Sequence, residues 1–412
     1  MSDFDDIRPY HDDEVSTVIQ RVIADNEFID LITNFRYRAL SRLSVGPVKS
    51  LLRAIVRRRL RGAFSGIDTV AGLQQVVEDY MTRMIRATTD GVTVGGLDDL
   101  DLSRPHLFIS NHRDITLDPA FTNYSLHQAN SSTVRIAIGD NLLTKPYASD
   151  LMRLNKSFIV KRSISKPREL LRALTKLSRY IRQSLVDDKH PVWIAQREGR
   201  AKDGIDATDL AVLKMLFLAK PKAVSFEDYL SELRIVPVAI SYEFDPCIGL
   251  KAHELTQLKV HQSYSKAEHE DLKSIGQGIS GYKGRVHIEF GSLMSGISDF
   301  EALATTLDEQ IARQYKLFDN NYLAYARLHG EEAAQHAKEQ IVASSYLNSE
   351  WAGGGGESGA SLASPVGAKF AQHIAELPAS DQAVALEAYA NPVTVCLERK
   401  AWVSAELADG PR

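Results

Sequence analysis

The sequence predicts an α/β fold, a sheet covered by helices, flanked by an N-terminal helical region and a short helical tail. Three observations predict it. Between about residues 100 and 300, short apolar runs alternate with helical segments, the pattern of strands interleaved with covering helices. Residues 15–95 carry apolar residues mostly at helical spacing. A glycine-rich run near residues 353–361 separates this body from a last helical stretch at 366–398.

The first helical segments are expected at residues 15–43 and 70–85. Between them, residues 48–64 place Leu51, Leu52, Ile55, Val56, Leu60 and Phe64 on one apolar stripe, with Arg53, Arg57, Arg58, Arg59 and Arg61 on the other faces. Such a helix either lies in a membrane interface, drawn by anionic lipid, or faces a core and solvates its cationic back. Strands are expected at 106–110, 134–138, 157–160, 192–195, 235–242 and 286–290, and the clearest helices between them at 167–186 and 207–220. Pro237 in the fifth run suggests an edge strand or a bulge. The run Gly353 to Ser361 reads as a linker rather than a phosphate loop, because no strand leads into it and no Gly-Lys-Ser/Thr follows. The expected division is a helical region at 1–97, a main domain at 98–300, a helical extension at 301–350, a flexible linker at 351–364 and a tail at 365–412.

At 412 residues the chain is long for one compact domain. A net charge of −4 argues against a chain-wide role in binding nucleic acid, so any cationic patch is local. The two cysteines, Cys247 and Cys396, lie far apart, which fits a reducing compartment and excludes a cysteine-built zinc site. The first residues are acidic, opposite to a secretory signal. No window approaches the roughly 18–20 apolar residues that span a bilayer. The expected location is the cytoplasm, at most peripheral on the inner face of a membrane.

The most informative stretch is Ser110-Asn111-His112-Arg113-Asp114-Ile115-Thr116-Leu117-Asp118-Pro119, directly behind the apolar run Leu107-Phe108-Ile109. It presents an imidazole and two carboxylates at a strand end. A histidine can take a proton from an alcohol, and a carboxylate on its other nitrogen fixes the tautomer. The bland alternative is a strand-to-helix turn in which Asp114 caps the following helix. Protein kinases share the trio His112-Arg113-Asp114, but the asparagine that would hold magnesium is Pro119 here. Neither an Asp-Phe-Gly segment nor a Gly-rich loop with a strand lysine accompanies it.

Three further segments carry cations or shape. Phe158 to Val160 runs into Lys161, Arg162 and Ser163, which suits a phosphate at a sheet edge or simply solvated residues at a strand end. Gln196-Arg197-Glu198-Gly199-Arg200-Ala201-Lys202-Asp203-Gly204 follows an apolar run. It reads as a phosphate-binding loop in which Glu198 holds an arginine, or as a plain charged turn. The last is the buried run Val236-Pro237-Val238.

In this order the four blocks resemble the motifs of the glycerophospholipid acyltransferase family, which includes glycerol-3-phosphate and 1-acylglycerol-3-phosphate acyltransferases. The family's Asn-His, four residues, Asp resembles Asn111-His112 through Asp118-Pro119. Its strand ending in Arg and Ser resembles Phe158 to Ser163, its Glu-Gly followed by Arg or Ser resembles Glu198-Gly199-Arg200, and its Val-Pro-Val strand resembles residues 236–238. The resemblance covers roughly residues 100–295. It implies a mixed sheet, His112 as general base and an aspartate that orients it. Lys161, Arg162, Gly199 and Arg200 would bind the acceptor's phosphate, with Glu198 in support. The donor would be acyl-CoA or acyl carrier protein, with no cofactor and no metal. One departure stands out. Asp118 lies six positions after His112 rather than five, and on a regular helix one extra residue rotates a side chain by about 100°. Asp118 and Asp114 therefore both remain candidates for the partner, and a lipid-binding protein that kept the fold but lost the reaction is the competing reading.

Overall fold

A computed structural model of the chain describes residues 3–37, 46–267, 270–343 and 364–409. Four helices, α1 (Asp12–Ala24), α2 (Asn26–Arg36), α3 (Pro47–Ala63) and α4 (Val70–Thr88), precede strands β1 (Gly91–Gly95) and β2 (Leu107–Ser110). Then follow α5 (Leu117–Gln128), β3 (Arg135–Gly139), α6 (Pro146–Leu154), β4 (Ser157–Val160), α7 (Pro167–Val186), β5 (Val192–Ala195), α8 (Leu210–Leu216), α9 (Phe226–Leu233) and β6 (Ile235–Tyr242). The described chain ends with α10 (Ile248–His261), α11 (Glu270–Ser280), β7 (Arg285–Phe290), α12 (Phe300–Gln314), α13 (Asp319–His329), α14 (Glu331–Ala343), α15 (Pro365–Ala375) and α16 (Ala379–Asp409). The expected linker lies, but for Ser364, outside the described residues.

Two compact units interleave along the chain: Met1–Met81 with Val134–Tyr180, and Thr82–Thr133 with Ile181–Arg412. In the first, α1, α2, α3 and α6 bury Val15, Val18, Val22, Ile29, Val56 and Tyr147 in one cluster. The helix expected at 15–43 breaks at Asp25, whose extended backbone and side chain cap α2 by accepting from Phe28 N at 2.8 Å. Helix α3 turns its stripe inward: Leu52 and Val56 are buried, and Leu60 and Phe64 pack against the cluster, while Leu51 is 61% exposed. Its cationic back is partly engaged, since Arg53 pairs with Asp30 at 2.5 Å, Arg57 donates to Asn26 at 2.5 Å and Arg59 to Tyr37 at 2.9 Å. Strands β3 and β4 form a parallel pair in this unit.

The second unit holds five strands in the order β1-β7-β6-β2-β5. Neighbours are parallel except β6 and β7, which run antiparallel, so the sheet is mixed. Strand β2 lies between β5 and β6 with all four residues buried. Burying side chains such as Leu107, Phe108 and Ile109 stabilises the fold by about 1.5–3 kcal/mol each, which anchors the chain just before the Asn111-His112 pair.

Two expectations need correction. Strand β1 is absent from the sequence reading because Gly91-Val92-Thr93-Val94-Gly95 is short, bounded by glycines and partly exposed at the sheet's edge. Strand β6, with Pro237, is neither an edge nor exposed: it pairs on both sides and all its residues are buried. The β7 ladder begins opposite Val238, and Pro237 O accepts from Gly291 N at 2.8 Å, beyond the end of β7. The amide that proline lacks thus falls where the partner strand has stopped. Gly291 belongs to the same accommodation, since a Cβ there would lie 2.7 Å from Pro237 Cγ.

Candidate active site

The site starts at the end of β2. The Asn111 side chain extends the β2–β6 ladder by one rung, accepting from Ile240 N at 2.8 Å and donating to Ile240 O at 3.1 Å. With Asn111 so fixed, His112 leaves the sheet in a set direction. Its ring packs edge-on to Trp193 of β5 at 6.1 Å, and its carbonyl accepts from Ala201 N at 2.8 Å.

Asp118 is the carboxylate that meets the imidazole. Its Oδ2 lies 2.9 Å from His112 Nδ1 and also accepts from Arg113 N at 2.6 Å and Asp114 N at 2.9 Å. Its Oδ1 accepts from the Tyr242 hydroxyl at 2.9 Å. A carboxylate only accepts, so Nδ1 carries the proton and Nε2 is left as the basic nitrogen. Asp118 is wholly buried, whereas the His112 side chain keeps 14% exposure.

The extra residue between His112 and Asp118 does not rotate the carboxylate away. Residues 113–116 form a turn and α5 begins only at Leu117, so the insertion is taken up before helical geometry applies. Asp114 has the capping role: its Oδ1 accepts from Thr116 N at 2.9 Å and Leu117 N at 2.8 Å. Burial, with the Asp118 charge beside it, pushes the Asp114 carboxyl above the ordinary carboxylate range.

Arg113 points away from the imidazole into the protein. It pairs with Asp206 at 2.5 Å, donates to Gly204 O at 3.1 Å and lies over the Tyr315 ring at 5.0 Å. Burial opposes its charge, but the Asp206 carboxylate outweighs that and keeps the guanidinium protonated. A cavity of roughly 20 Å³, lined in part by Arg113, Tyr242, Asp245, Tyr315 and Tyr389, lies beside Arg113. It has room for about one water, and His112 does not line it.

The loop after β5 stands beside His112 through the Ala201 bond. At its tip Glu198 is exposed, next to Gly199 with φ +76°, a conformation that only glycine adopts without strain. Arg200 donates to Ser274 of α11 at 2.6 Å, and Lys202 pairs with Glu254 of α10. In the other unit, Lys161 pairs with Asp6 at 2.5 Å, and Arg162 N donates to Asp140 at 3.1 Å. There Arg162 lies across Gly139, where a Cβ would come 3.1 Å from its Nε.

Sequence reasoning missed Tyr242, Asp206, Trp193 and Ser274. Each is remote in sequence from its partner, and each is an ordinary residue of its strand, loop or helix. Among the described residues, no cluster of three or more His, Cys, Asp or Glu side chains could hold a metal ion.

Comparison with known proteins bears on this geometry. Residues 91–241 match the Acyltransferase family model. By structure the chain is similar to the 1-acyl-sn-glycerophosphate (LPA) acyltransferase PlsC from Thermotoga maritima, at 12% identity over 68% of this chain and 86% of that one, with a TM-score of 0.37. No protein of curated function matches the chain significantly by sequence. The span that matches the Acyltransferase family model runs from β1 almost to the end of β6 and holds the Asn111-His112 pair, Asp118 and the loop of Arg200.

Proposed function

We propose that the protein transfers a fatty acyl group from a thioester, acyl-CoA or acyl carrier protein, to a hydroxyl of 1-acylglycerol-3-phosphate or glycerol-3-phosphate. The observation that carries this reading is the 2.9 Å contact between His112 Nδ1 and a buried Asp118. With Nδ1 held, Nε2 takes the proton of the acceptor hydroxyl as its oxygen attacks the thioester carbonyl. The tetrahedral adduct expels the thiolate, which recovers the proton from the imidazolium. No acyl-enzyme is required.

Arg200 with the Gly199 turn is proposed to bind phosphate, Arg through its bidentate fork; Lys161 and Arg162 carry the same proposal at their own strand end. Glu198 supports its loop. Among the described residues no helix is long and apolar enough to cross a membrane. The proposed lipid contact is therefore the outer face of α3 within Leu51 to Phe64, where Leu51, Arg58 and Arg61 are exposed. On this reading the protein works at the cytoplasmic surface of a membrane.

The test is a thioester-release assay with labelled palmitoyl donor and each acceptor. His112→Ala should cut kcat by about 10³-fold or more while leaving the thermal unfolding midpoint within a few degrees. Undiminished turnover by a folded His112→Ala protein would remove the imidazole from the reaction.

A further inference from the structure

We propose that Tyr242 is the positioning residue of this site, holding the Asp118 carboxylate in charge and in aim so that His112 keeps its basic nitrogen toward the substrate. The proposal rests on the reading of His112 as the base and adds to it a group 124 positions from Asp118 in sequence.

The geometry is asymmetric. Asp118 Oδ2 takes Arg113 N, Asp114 N and the imidazole, whereas Oδ1 takes the Tyr242 hydroxyl. The carboxylate is wholly buried, so Tyr242→Phe would leave its Oδ1 in the interior without the hydroxyl that donates to it. Tyr242 is equally fixed. It is the last residue of the buried strand β6, and its ring packs on Phe121 of α5 at 6.0 Å. Phe121 stands one helical turn after Asp118, so the same helix presents the carboxylate and the surface that holds its donor.

The surrounding charges leave this role to Tyr242. Arg113 is spent on Asp206, and Lys251 of α10 on Asp245. Asp114 and the Cys247 thiol face the same interior, and both are pushed toward their neutral forms, first by burial. Tyr315 lies over Arg113, and the Tyr389 hydroxyl of α16 accepts from Asp245 N. Burial and the neighbouring carboxylates also hold the Tyr242 hydroxyl protonated, so it acts as a donor throughout the working range.

A donor on Oδ1 draws charge from Oδ2 and so weakens the grip of Asp118 on a protonated imidazole. Removing that donor strengthens the grip, and His112 then stays protonated to higher pH. Measured on the full chain, Tyr242→Phe should lower kcat tenfold or more at neutral pH and leave KM for both substrates within twofold. The acid limb of its kcat–pH profile should move up by half a unit or more. Incorporating 3-fluorotyrosine at position 242, a stronger donor of nearly the same shape, should move that limb down. A Tyr242→Phe profile that superimposes on the unmodified protein's after scaling overturns the proposal, and so does an unmoved limb with fluorotyrosine. If Tyr242→Phe fails to fold, the fluorotyrosine protein decides alone. His112→Ala, run in parallel, separates the failures. A fully active His112→Ala brings down the base reading and this proposal with it, whereas an inactive one beside unmoved profiles brings down Tyr242 only.

Discussion

Asp114 and Asp118 show how one turn gives two carboxyl groups different work. Both are buried, but Asp118 has the imidazole and the Tyr242 hydroxyl, while Asp114 has the first amides of α5. The raised Asp114 carboxyl binds its proton more tightly in the folded protein than in the unfolded chain. Its stabilising contribution is therefore complete below the ordinary carboxylate range and is lost as pH rises through the folded-state value. Asp114→Asn keeps the accepting oxygen and removes that dependence. Its unfolding midpoint relative to the unmodified protein should therefore improve from pH 4 to pH 8, with acyl transfer retained; a difference that does not change with pH would contradict the assignment. Asp114→Ala should cost about 1 kcal/mol through the lost cap. Asp118→Asn should instead lower kcat by about 10²–10⁴-fold with little change in stability, as expected when the group that orients an imidazole loses its charge.

At the scale of elements, the loop after β5 is held from two sides. Ala201 N reaches back to His112 O, and the C-terminal helix α16 closes on the loop's far end. Pro392 sits inside α16 and has no amide to give the carbonyl of Ala388. Gly204 approaches that carbonyl so closely that a Cβ would lie 2.1 Å from it, and Asn391 donates to Asp203 O at 2.8 Å. The helix irregularity thus makes room for the loop that supplies Gly204 O to Arg113. Gly204→Ala combines a backbone clash with a φ of +80° and should cost about 2–4 kcal/mol by thermal unfolding. Gly199→Ala, at φ +76° but in open space, should cost about 1 kcal/mol. Equal losses at the two positions would show that α16 does not brace the loop.

For the whole molecule, the arginines of α3 determine what the proposed surface reading predicts. With Leu52 and Val56 committed to the core, only the outer face, with Val48 and Leu51 exposed beside Arg58 and Arg61, remains for lipid. The full chain should sediment with vesicles rich in anionic lipid at low salt and much less at high salt. Leu51→Glu together with Arg58→Glu should abolish that binding without lowering the unfolding midpoint. Unaltered binding by that variant would place the lipid contact elsewhere.

Much of this protein was legible in the order of its residues. Among the described residues, six of the seven strands and the helix Pro167–Val186 follow from apolar runs and helical periodicity, which are local properties of the chain. That His112 stands close to two carboxylates, Asp114 and Asp118, was legible for the same reason, since all three lie within one short segment. Which of two carboxylates faces the imidazole was not, because that depends on where α5 begins, and a one-residue change there redirects the side chain. Interior placement of β6 despite Pro237 depended on where β7 stops. Tyr242 on Asp118, Asp206 on Arg113 and α16 on the loop join residues roughly 90 to 190 positions apart. Such contacts form only once sheet order and burial bring distant segments together, and no local pattern records them. The sequence alone thus determined the strands other than β1, several of the helices and the His112 segment, whereas the tertiary structure decided which side chains meet, because burial and sheet order act between distant segments.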